Sequence, residues 1–186
     1  MTELEKLNNE IERCTYCPFM EYKFNGTKEL GFGEKYRIAF IGSSPAVTSN
    51  KSSGNSKFDS FFLDLLAKVN ISRKDFYFTN LVKTSIPNNV KPTYEQLKHC
   101  KSHVIQELLI VKPQVVILLG KIVREAFDIG YPGTVITKIL LPGVKKNKAV
   151  FYTMAHPGTL HYEPEREEKY LRQLKLGLRF YKRVLI

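Results

Sequence analysis

The sequence predicts an α/β protein: a three-layer α/β/α sandwich around a central, mainly parallel four-stranded sheet. The prediction depends on short apolar segments, typical of buried strands, that alternate along the chain with helical patterns. They begin near Ile38, Phe76, Gln114 and Ala149. Parallel strands need a crossover connection, usually a helix, so this alternation favours a parallel sheet. Right-handed crossovers would bring the ends of these strands to one edge.

The composition is that of a globular protein with a basic surface. The chain has 186 residues, 43% hydrophobic and 25% charged, which suits one domain over residues 1–186. The net charge of +11 favours a polyanionic partner such as DNA or RNA, although a lysine-rich solvated surface gives the same charge. No apolar run is long enough to span a bilayer, and the polar N-terminus does not resemble a signal peptide. We therefore expect a cytoplasmic protein.

The first strand ends in a turn suited to holding a ligand. Residues 38–41 are apolar, and the sequence Gly-Ser-Ser-Pro-Ala follows them at 42–46. Its glycine and proline are typical of a tight turn. Ligands of α/β proteins bind just past the carboxyl ends of strands. An ordinary strand-to-loop turn has the same features, so this segment alone does not establish a site.

A pair of cysteines follows the first helical pattern, which covers residues 3–13. Cys14 and Cys17 have the Cys-x-x-Cys spacing of a metal or cluster site. Redox chemistry, or two unrelated thiols, would explain the pair equally well. With Cys100 as the third cysteine, the chain has too few for a disulfide framework.

Two aromatic-rich segments come next. A helical pattern with one apolar stripe begins at Phe58, whose ring at the start of the helix could face a ligand. The strand over 76–82 is rich in aromatic and β-branched residues, but Asn80 interrupts its apolar pattern. A buried amide must find partners, so Asn80 is either a satisfied core group or a group that reads a ligand.

The second half of the chain continues the alternation. Thr93 and Gln96 form a capping box, which predicts that a helix begins there and extends to about Val111. The further elements are a strand over 114–120, a short helix over 121–127, a turn region at 130–133, a basic tip at 145–148, a strand over 149–154 and a helix over 164–185. The strand over 149–154 leads directly to His156. A histidine there could be catalytic, structural or merely at the surface.

Candidate residues therefore follow several of the predicted strands. The turn at 42–46 follows the first strand, Asn80 lies near the end of the second, and His156 follows the last. Because parallel strands end at the same edge, we expect these residues to form one site.

At these residues the chain resembles the uracil-DNA glycosylase superfamily, most closely its iron–sulfur (family 4) enzymes. Those enzymes carry Cys-x-x-Cys near the N-terminus, a Gly-Glu-Ala-Pro-Gly turn, a Pro-Phe-Val-Gly segment, a Thr-Asn-x-x-Lys-Cys strand end, a further helix cysteine, a Leu-Gly strand end and His-Pro-Ala-x-Leu. The counterparts, in the same order over most of this chain, are Cys14 and Cys17, residues 42–46, 57–60 and 79–84, Cys100, and residues 119–120 and 156–160.

The resemblance implies hydrolysis of the N-glycosidic bond of uracil in DNA, leaving an abasic site. Such an enzyme must flip the nucleotide out of the base stack into a pocket. Phe58 would stack on the uracil ring, Asn80 would read its polar edge, and His156 would donate to a uracil oxygen as negative charge develops. The pocket would be completed by the turn residues Gly42, Ser43, Ser44, Pro45 and Ala46.

The resemblance also implies a DNA-binding loop after His156. This superfamily places there a loop that wedges into DNA, as apolar and aromatic side chains do in other proteins. The residues that would form it are Pro157, Gly158, Leu160, His161 and Tyr162. The implied partner is DNA that contains uracil or another deaminated base, bound by a monomer.

One departure from the family concerns the reaction. Ser43 stands where the iron–sulfur enzymes have a glutamate that helps to position water. The turn instead resembles that of the related family 5 enzymes, which also lack an acid at this position. Hydrolysis would then depend on stabilising the oxocarbenium-like transition state and the leaving anion. The rate could fall, and the range of bases could widen to deaminated purines.

The other departure concerns the cofactor. A 4Fe–4S cluster is implied at Cys14, Cys17 and Cys100, but Thr84 stands where the family has a further cysteine. Such a cluster needs four ligands and prefers thiolates. A water molecule, Thr84 or the nearby His99 could supply the fourth ligand. Zinc, or no metal, is the alternative.

The main alternative function is a binding module. A superfamily member that has lost catalysis would keep recognition of DNA or of damage, and both departures are consistent with this. A nucleotide-binding α/β protein is less favoured, because the chain has no Gly-x-Gly-x-x-Gly and no phosphate-binding loop.

Overall fold

A computed structural model describes residues 1–16, 37–45, 57–84, 86, 90–130, 135–140 and 148–182. Of the predicted site residues, Cys17 and Ala46 lie outside the described residues, and so does the side chain of Phe58. None of the helices in the described ranges has the length and apolar character needed to cross a membrane.

Helices and strands alternate along the chain as predicted. The helices are α1 (Glu3–Arg13), α2 (Lys57–Ala67), α3 (Tyr94–Val111), α4 (Lys121–Ala126) and α5 (Glu167–Lys182). The strands are β1 (Ile38–Gly42), β2 (Phe76–Asn80), β3 (Val115–Leu119), β4 (Val135–Leu140) and β5 (Lys148–Met154). Short 3₁₀ turns cover Arg73–Asp75, Pro157–His161 and Pro164–Arg166.

The strands form one sheet in the order β2-β1-β3-β5-β4. Strands β2, β1, β3 and β5 pair in parallel, whereas β4 pairs antiparallel with β5. The predicted α/β fold class and the parallel four-stranded sheet are therefore confirmed. The sequence analysis does not predict the fifth strand, β4. An antiparallel neighbour needs no helical crossover, so β4 lacks the strand–helix alternation from which the other strands are recognised.

The core consists of two layers, one on each face of the sheet. Strand β1 is buried along its whole length, and its side chains alternate between the layers. Ala39 and Ile41 pack in the cluster that includes residues of α3 and α4. Ile38 and Phe40 pack in the cluster that includes residues of α2 and α5. This arrangement is the three-layer α/β/α sandwich.

Capping boxes are present at the starts of helices α1 and α3. Thr2 and Glu5 exchange side-chain and backbone hydrogen bonds at the start of α1. At the start of α3, the Thr93 amide donates to Gln96 Oε1 at 2.8 Å and the Gln96 amide donates to Thr93 Oγ1 at 3.3 Å. The predicted start of α3 is thus confirmed, and these reciprocal bonds satisfy amides that the first helical turn leaves unpaired.

Candidate active site

The carboxyl ends of the parallel strands meet at one edge of the sheet. Gly42 at the end of β1 is in register with Asn80 at the end of β2, and Leu119 at the end of β3 is in register with Met154 at the end of β5. His156 follows β5 by two residues. The sheet therefore brings Asn80, His156 and the turn after β1 to the same edge, where α/β proteins bind ligands.

The turn after β1 is held by an extension of the β1–β2 ladder. The amide of Leu81 donates to Gly42 O at 2.8 Å, and the amide of Val82 donates to Ser43 O at 2.9 Å. The turn at 42–45 consequently lies beside the segment that follows Asn80. Ser43, Ser44 and Pro45 are half-buried there.

Asn80 lies against the backbone of Gly42. Its side chain is only 5% exposed. A Cβ atom added to Gly42 would overlap the Asn80 Oδ1 atom. The glycine at the end of β1 is therefore required for the position of this carboxamide, and not only for the turn.

A buried ionic network lies behind Asn80, on the other face of β2. Lys83 Nζ donates to Glu107 Oε1 at 2.8 Å, to Glu107 Oε2 at 2.7 Å and to Thr79 Oγ1 at 2.6 Å. The side chains of Lys83 and Glu107 are 4% and 0% exposed. The network fixes the end of β2 to α3, and thereby the backbone that carries Asn80.

His156 is positioned by its own backbone turn. It caps the 3₁₀ turn Pro157–His161, and its Nδ1 atom accepts a hydrogen bond from the Gly158 amide at 3.1 Å. A backbone amide can only donate, so Nδ1 is the unprotonated nitrogen. We therefore assign the neutral tautomer in which Nε2 carries the proton.

The surroundings of His156 favour the neutral ring. Burial lowers the pKa of His156 from 6.5 to about 4, because desolvation disfavours the imidazolium. Gly120 packs against the same residue: it has a φ of +94°, and a Cβ added there would lie 3.2 Å from His156 Cβ. The site thus presents an uncharged imidazole whose donor is Nε2–H.

Strands β1 and β3 lie between the strands that carry Asn80 and His156. At about 4.8 Å per strand, the two backbones are about 14 Å apart. An amide from one side and an imidazole from the other can reach a planar heterocycle between them. Such a ring would be read by the amide and would receive a hydrogen bond from Nε2.

The predicted DNA-binding residues after His156 differ in exposure. Leu160 is 5% exposed and belongs to the core layer with α2 and α5, whereas Tyr162 is 88% exposed. Pro157 is buried and Gly158 half-buried. His161 is exposed and its ring lies 4.5 Å from that of Phe61. The 3₁₀ turn directs Leu160 inward, which leaves His161 and Tyr162 at the surface.

A second polar cluster lies where α1 meets α3. Cys14, His99 and His103 place their ligand atoms within 4.8 Å of one another. Cys100, on the same helix as the histidines, is buried in the core, as is Thr84. A cluster with four cysteine ligands does not fit this chain, because it has three cysteines and two imidazoles lie beside Cys14. They form a candidate metal site of mixed sulfur and nitrogen donors.

Two features of these sites are not predicted from the sequence. One is the position of His103 beside Cys14, which the i, i+4 spacing of His99 and His103 on one helix face could have indicated. The Lys83–Glu107 pair joins residues far apart in the chain. Its only signal is the position of Glu107 among the apolar residues of α3.

Several known proteins are similar to this chain. The model of the uracil DNA glycosylase superfamily matches residues 30–175. A type-4 uracil-DNA glycosylase of Archaeoglobus fulgidus is 26% identical over 178 residues, which cover 91% of this chain and 89% of that protein. One from Pyrobaculum aerophilum is 30% identical over 127 residues, covering 67% of this chain and 64% of that protein. One from Sulfurisphaera tokodaii is 24% identical over 193 residues, covering 95% and 86%.

Proposed function

Because the chain belongs to the uracil DNA glycosylase superfamily, we propose that it hydrolyses the N-glycosidic bond of uracil in DNA and leaves an abasic site. The observation that carries this proposal is the meeting of Asn80 and a neutral His156 at one edge of the sheet. The names of the relatives, type-4 uracil-DNA glycosylases, support the same substrate.

In the proposed reaction, the bond between C1′ of the sugar and N1 of uracil breaks first. The electron pair stays on N1, so negative charge spreads to the uracil oxygens while C1′ becomes an oxocarbenium-like centre. His156 Nε2–H donates to one of these oxygens, and Asn80 holds the polar edge of the ring. Water then forms the new bond to C1′, and its proton is taken up by the departing base. A donor aimed at developing charge in a water-poor site lowers the barrier more than it would in water.

The neutral state of His156 suits this role. A neutral imidazole stabilises the uracil anion through a hydrogen bond whose direction is fixed by the Gly158 amide. The donor therefore needs no reorganisation as charge develops, which is the condition for effective electrostatic stabilisation.

The proposed site is less suited to activating water than to stabilising the leaving base. Ser43 has a hydroxyl that can orient a water molecule but cannot take its proton at neutral pH. The rate would therefore depend on stabilisation of the leaving base. Bases that leave as stabilised anions, including deaminated purines, become additional candidate substrates.

We assign the DNA contact chiefly to Tyr162. Its exposed ring follows the turn that positions His156, and an aromatic ring can replace a flipped base in the stack. Leu160 in its present position supports the turn from inside. The remaining predicted contacts, Pro157, Gly158 and His161, stay predictions, and so do the pocket residues Ala46 and Phe58.

The oligomeric state, the location and the cofactor of the protein are further parts of the proposal. We propose a monomer that acts on DNA in the cytoplasm, formed by one domain over residues 1–186. The 4Fe–4S cluster implied at Cys14, Cys17 and Cys100 stays a prediction, with zinc or no metal as its alternative; the proximity of Cys14 to His99 and His103 supports a metal in this region. None of the chemical steps above requires it.

The test is excision from an oligonucleotide with one uracil, followed by alkaline cleavage of abasic sites. Wild-type protein should excise uracil, and His156→Ala should lower the rate about 10²–10³-fold, as loss of a transition-state donor does. Asn80→Ala should also lower it. Asn9→Ala, an exposed amide on α1, is the matched control and should leave the rate unchanged.

The same assay tests the DNA contact and the alternative function. Tyr162→Ala should weaken excision from duplex DNA without lowering stability. Excision that is equally fast in His156→Ala and wild type would contradict the site assignment. Binding of damaged DNA with no excision of uracil, hypoxanthine or xanthine would instead favour the binding module.

A further inference from the structure

A cluster of metal-ligating side chains lies where the end of α1 meets α3. Cys14 Sγ lies 3.3 Å from His99 Nε2, and the ligand atoms of Cys14, His99 and His103 all lie within 4.8 Å of one another. All these residues are half-buried. None of them has a part in the proposed excision reaction.

The local structure explains why these side chains meet. Cys14 is the C-cap of α1, whose buried residues Leu7 and Ile11 face the core. His99 and His103 are one helical turn apart on α3, with ring centroids 5.2 Å apart and nearly perpendicular planes. The Tyr16 ring stacks on His99 at 4.2 Å and partly covers the cluster.

The spacing of the two histidines is that of a zinc site. His99-x-x-x-His103 matches the His-x₃-His half of a Cys₂His₂ set. The fold supplies a sulfur donor from a distant part of the chain, because it brings Cys14 beside the two rings.

The distances are close to those that zinc requires. With Zn–S near 2.3 Å and Zn–N near 2.0 Å, a tetrahedral ion places sulfur and nitrogen ligands about 3.6 Å apart and two nitrogens about 3.3 Å apart. The distance from Cys14 Sγ to His99 Nε2 is 3.3 Å. The upper limit of 4.8 Å within the cluster requires only small rotations of the side chains. One thiolate with two imidazoles suits Zn²⁺, whereas a 4Fe–4S cluster prefers thiolates.

We infer that Cys14, His99 and His103 bind a single Zn²⁺ ion that takes the place of an iron–sulfur cluster in this chain. We assign the ion a structural role, because its ligands come from the end of α1 and from α3 and none of them has a part in the proposed excision. Its effect is to attach the end of α1 to α3. Cys100 is not a ligand in this arrangement and remains a core residue.

The test is the metal content of the full-length protein, measured by mass spectrometry together with its visible absorption. The inference predicts about one zinc per chain, without the broad visible absorption of an iron–sulfur cluster. His103→Ala should weaken zinc binding more than about tenfold in a chelator competition, because a ligand is lost. His103→Cys should restore binding, because a cysteine thiolate is also a zinc ligand.

Cys100→Ala distinguishes the two kinds of metal centre. It should keep its zinc if the inference is right, whereas it should lose iron if Cys100 binds a cluster. His161→Ala is the matched histidine control and should also keep its zinc. Circular dichroism of each variant separates loss of the ligand from loss of the fold.

Clear outcomes would overturn the inference. Iron and sulfide in the wild-type protein, lost on Cys100→Ala, would establish the cluster. A folded wild-type protein that neither contains zinc nor binds added Zn²⁺ or Co²⁺ would rule out the site. Neither result depends on uracil excision, so the inference and the proposed function can fail independently.

Discussion

Asn80 and His156 lie on opposite sides of the candidate active site and are held in different ways. Asn80 belongs to a strand whose end is fixed to α3 by a buried ion pair between Lys83 and Glu107. His156 is held by a hydrogen bond from the Gly158 amide and by contact with Gly120. The first support is part of the core, whereas the second is local backbone geometry.

Because the two side chains are held differently, we expect changes on one side of the site to affect mainly stability and changes on the other to affect mainly activity. Charges inside the core stabilise the fold only while both partners are present, so their loss should affect the whole protein. Backbone turns and glycines place one ring with little effect on the rest of the chain. We therefore expect changes on the Asn80 side to lower the free energy of unfolding, and changes on the His156 side to lower the rate of excision.

The largest expected effect is the loss of one partner of the buried ion pair. Glu107→Ala should lower the free energy of unfolding by about 3–5 kcal/mol, because it leaves the Lys83 charge buried without compensation. Urea denaturation measures this change. The exposed pair of Lys121 and Glu125 provides the control, and Glu125→Ala should change stability by less than about 1 kcal/mol.

A double substitution makes this test sharper. Lys83→Met combined with Glu107→Leu removes both charges and should recover much of the stability lost in Glu107→Ala. If the double variant is as unstable as the single one, the hydrogen bonds to Thr79 matter more than the buried charge. The larger effect on stability expected for changes on the Asn80 side would then need another explanation.

A smaller effect on stability, with a clear effect on activity, is expected at Gly120. Gly120→Ala places a Cβ against His156 at a residue with a φ of +94°. Strain of this kind costs about 1–3 kcal/mol, and the displaced ring should slow excision about tenfold or more, as misplacement of a catalytic group does. Gly130→Ala is the matched control, because a Cβ at Gly130 has open space. Equal rates for the two variants would show that Gly120 does not position His156.

The smallest expected effect is the change of stability between about pH 7 and pH 6. The pKa of His156 falls from 6.5 in the unfolded chain to about 4 in the folded protein. The stability associated with the neutral ring is therefore complete above about pH 6.5 and is lost as the pH falls towards 4. Between about pH 7 and pH 6 the loss should be less than about 1 kcal/mol, and it should be absent in His156→Gln.

The rate of excision should depend on the protonation of the same His156 ring. The rate should change little between about pH 8 and pH 5 and fall only as the ring becomes protonated near pH 4. Protonation of Nδ1 would break its hydrogen bond with Gly158. A rate that falls with a midpoint near the ordinary pKa of histidine would contradict the buried, neutral His156.

The sequence was sufficient for the elements that local patterns determine. The Thr93–Gln96 capping box, the apolar strands and the residues at their carboxyl ends are all local features, so the parallel sheet and its edge could be predicted. The superfamily follows from motifs at those ends, and the match of its family model over residues 30–175 confirms it.

The remaining features depend on contacts between distant parts of the chain. Glu107 is satisfied by Lys83 only because α3 packs on β2, and His103 faces Cys14 only because α1 packs on α3. Leu160 and Tyr162 are close neighbours in sequence, yet a 3₁₀ turn buries one and exposes the other. Strand β4, in contrast, pairs antiparallel with β5, which follows it in the chain, so it lacks the strand–helix alternation that predicts the parallel strands.

The Gly158–His156 hydrogen bond has a consequence for the choice of base. Because a backbone amide cannot change from donor to acceptor, it excludes the other neutral tautomer of the ring. The Nε2–H group can therefore form a hydrogen bond only with a base that presents a lone pair to it. A base that presents an N–H at that point would place two hydrogen-bond donors against each other. Such a mismatch leaves buried polar groups unpaired, which discriminates between ligands far more strongly than a small difference in shape. The backbone of residues 156–158 fixes the ring proton on Nε2. The protein should therefore prefer bases that present a carbonyl oxygen to this group.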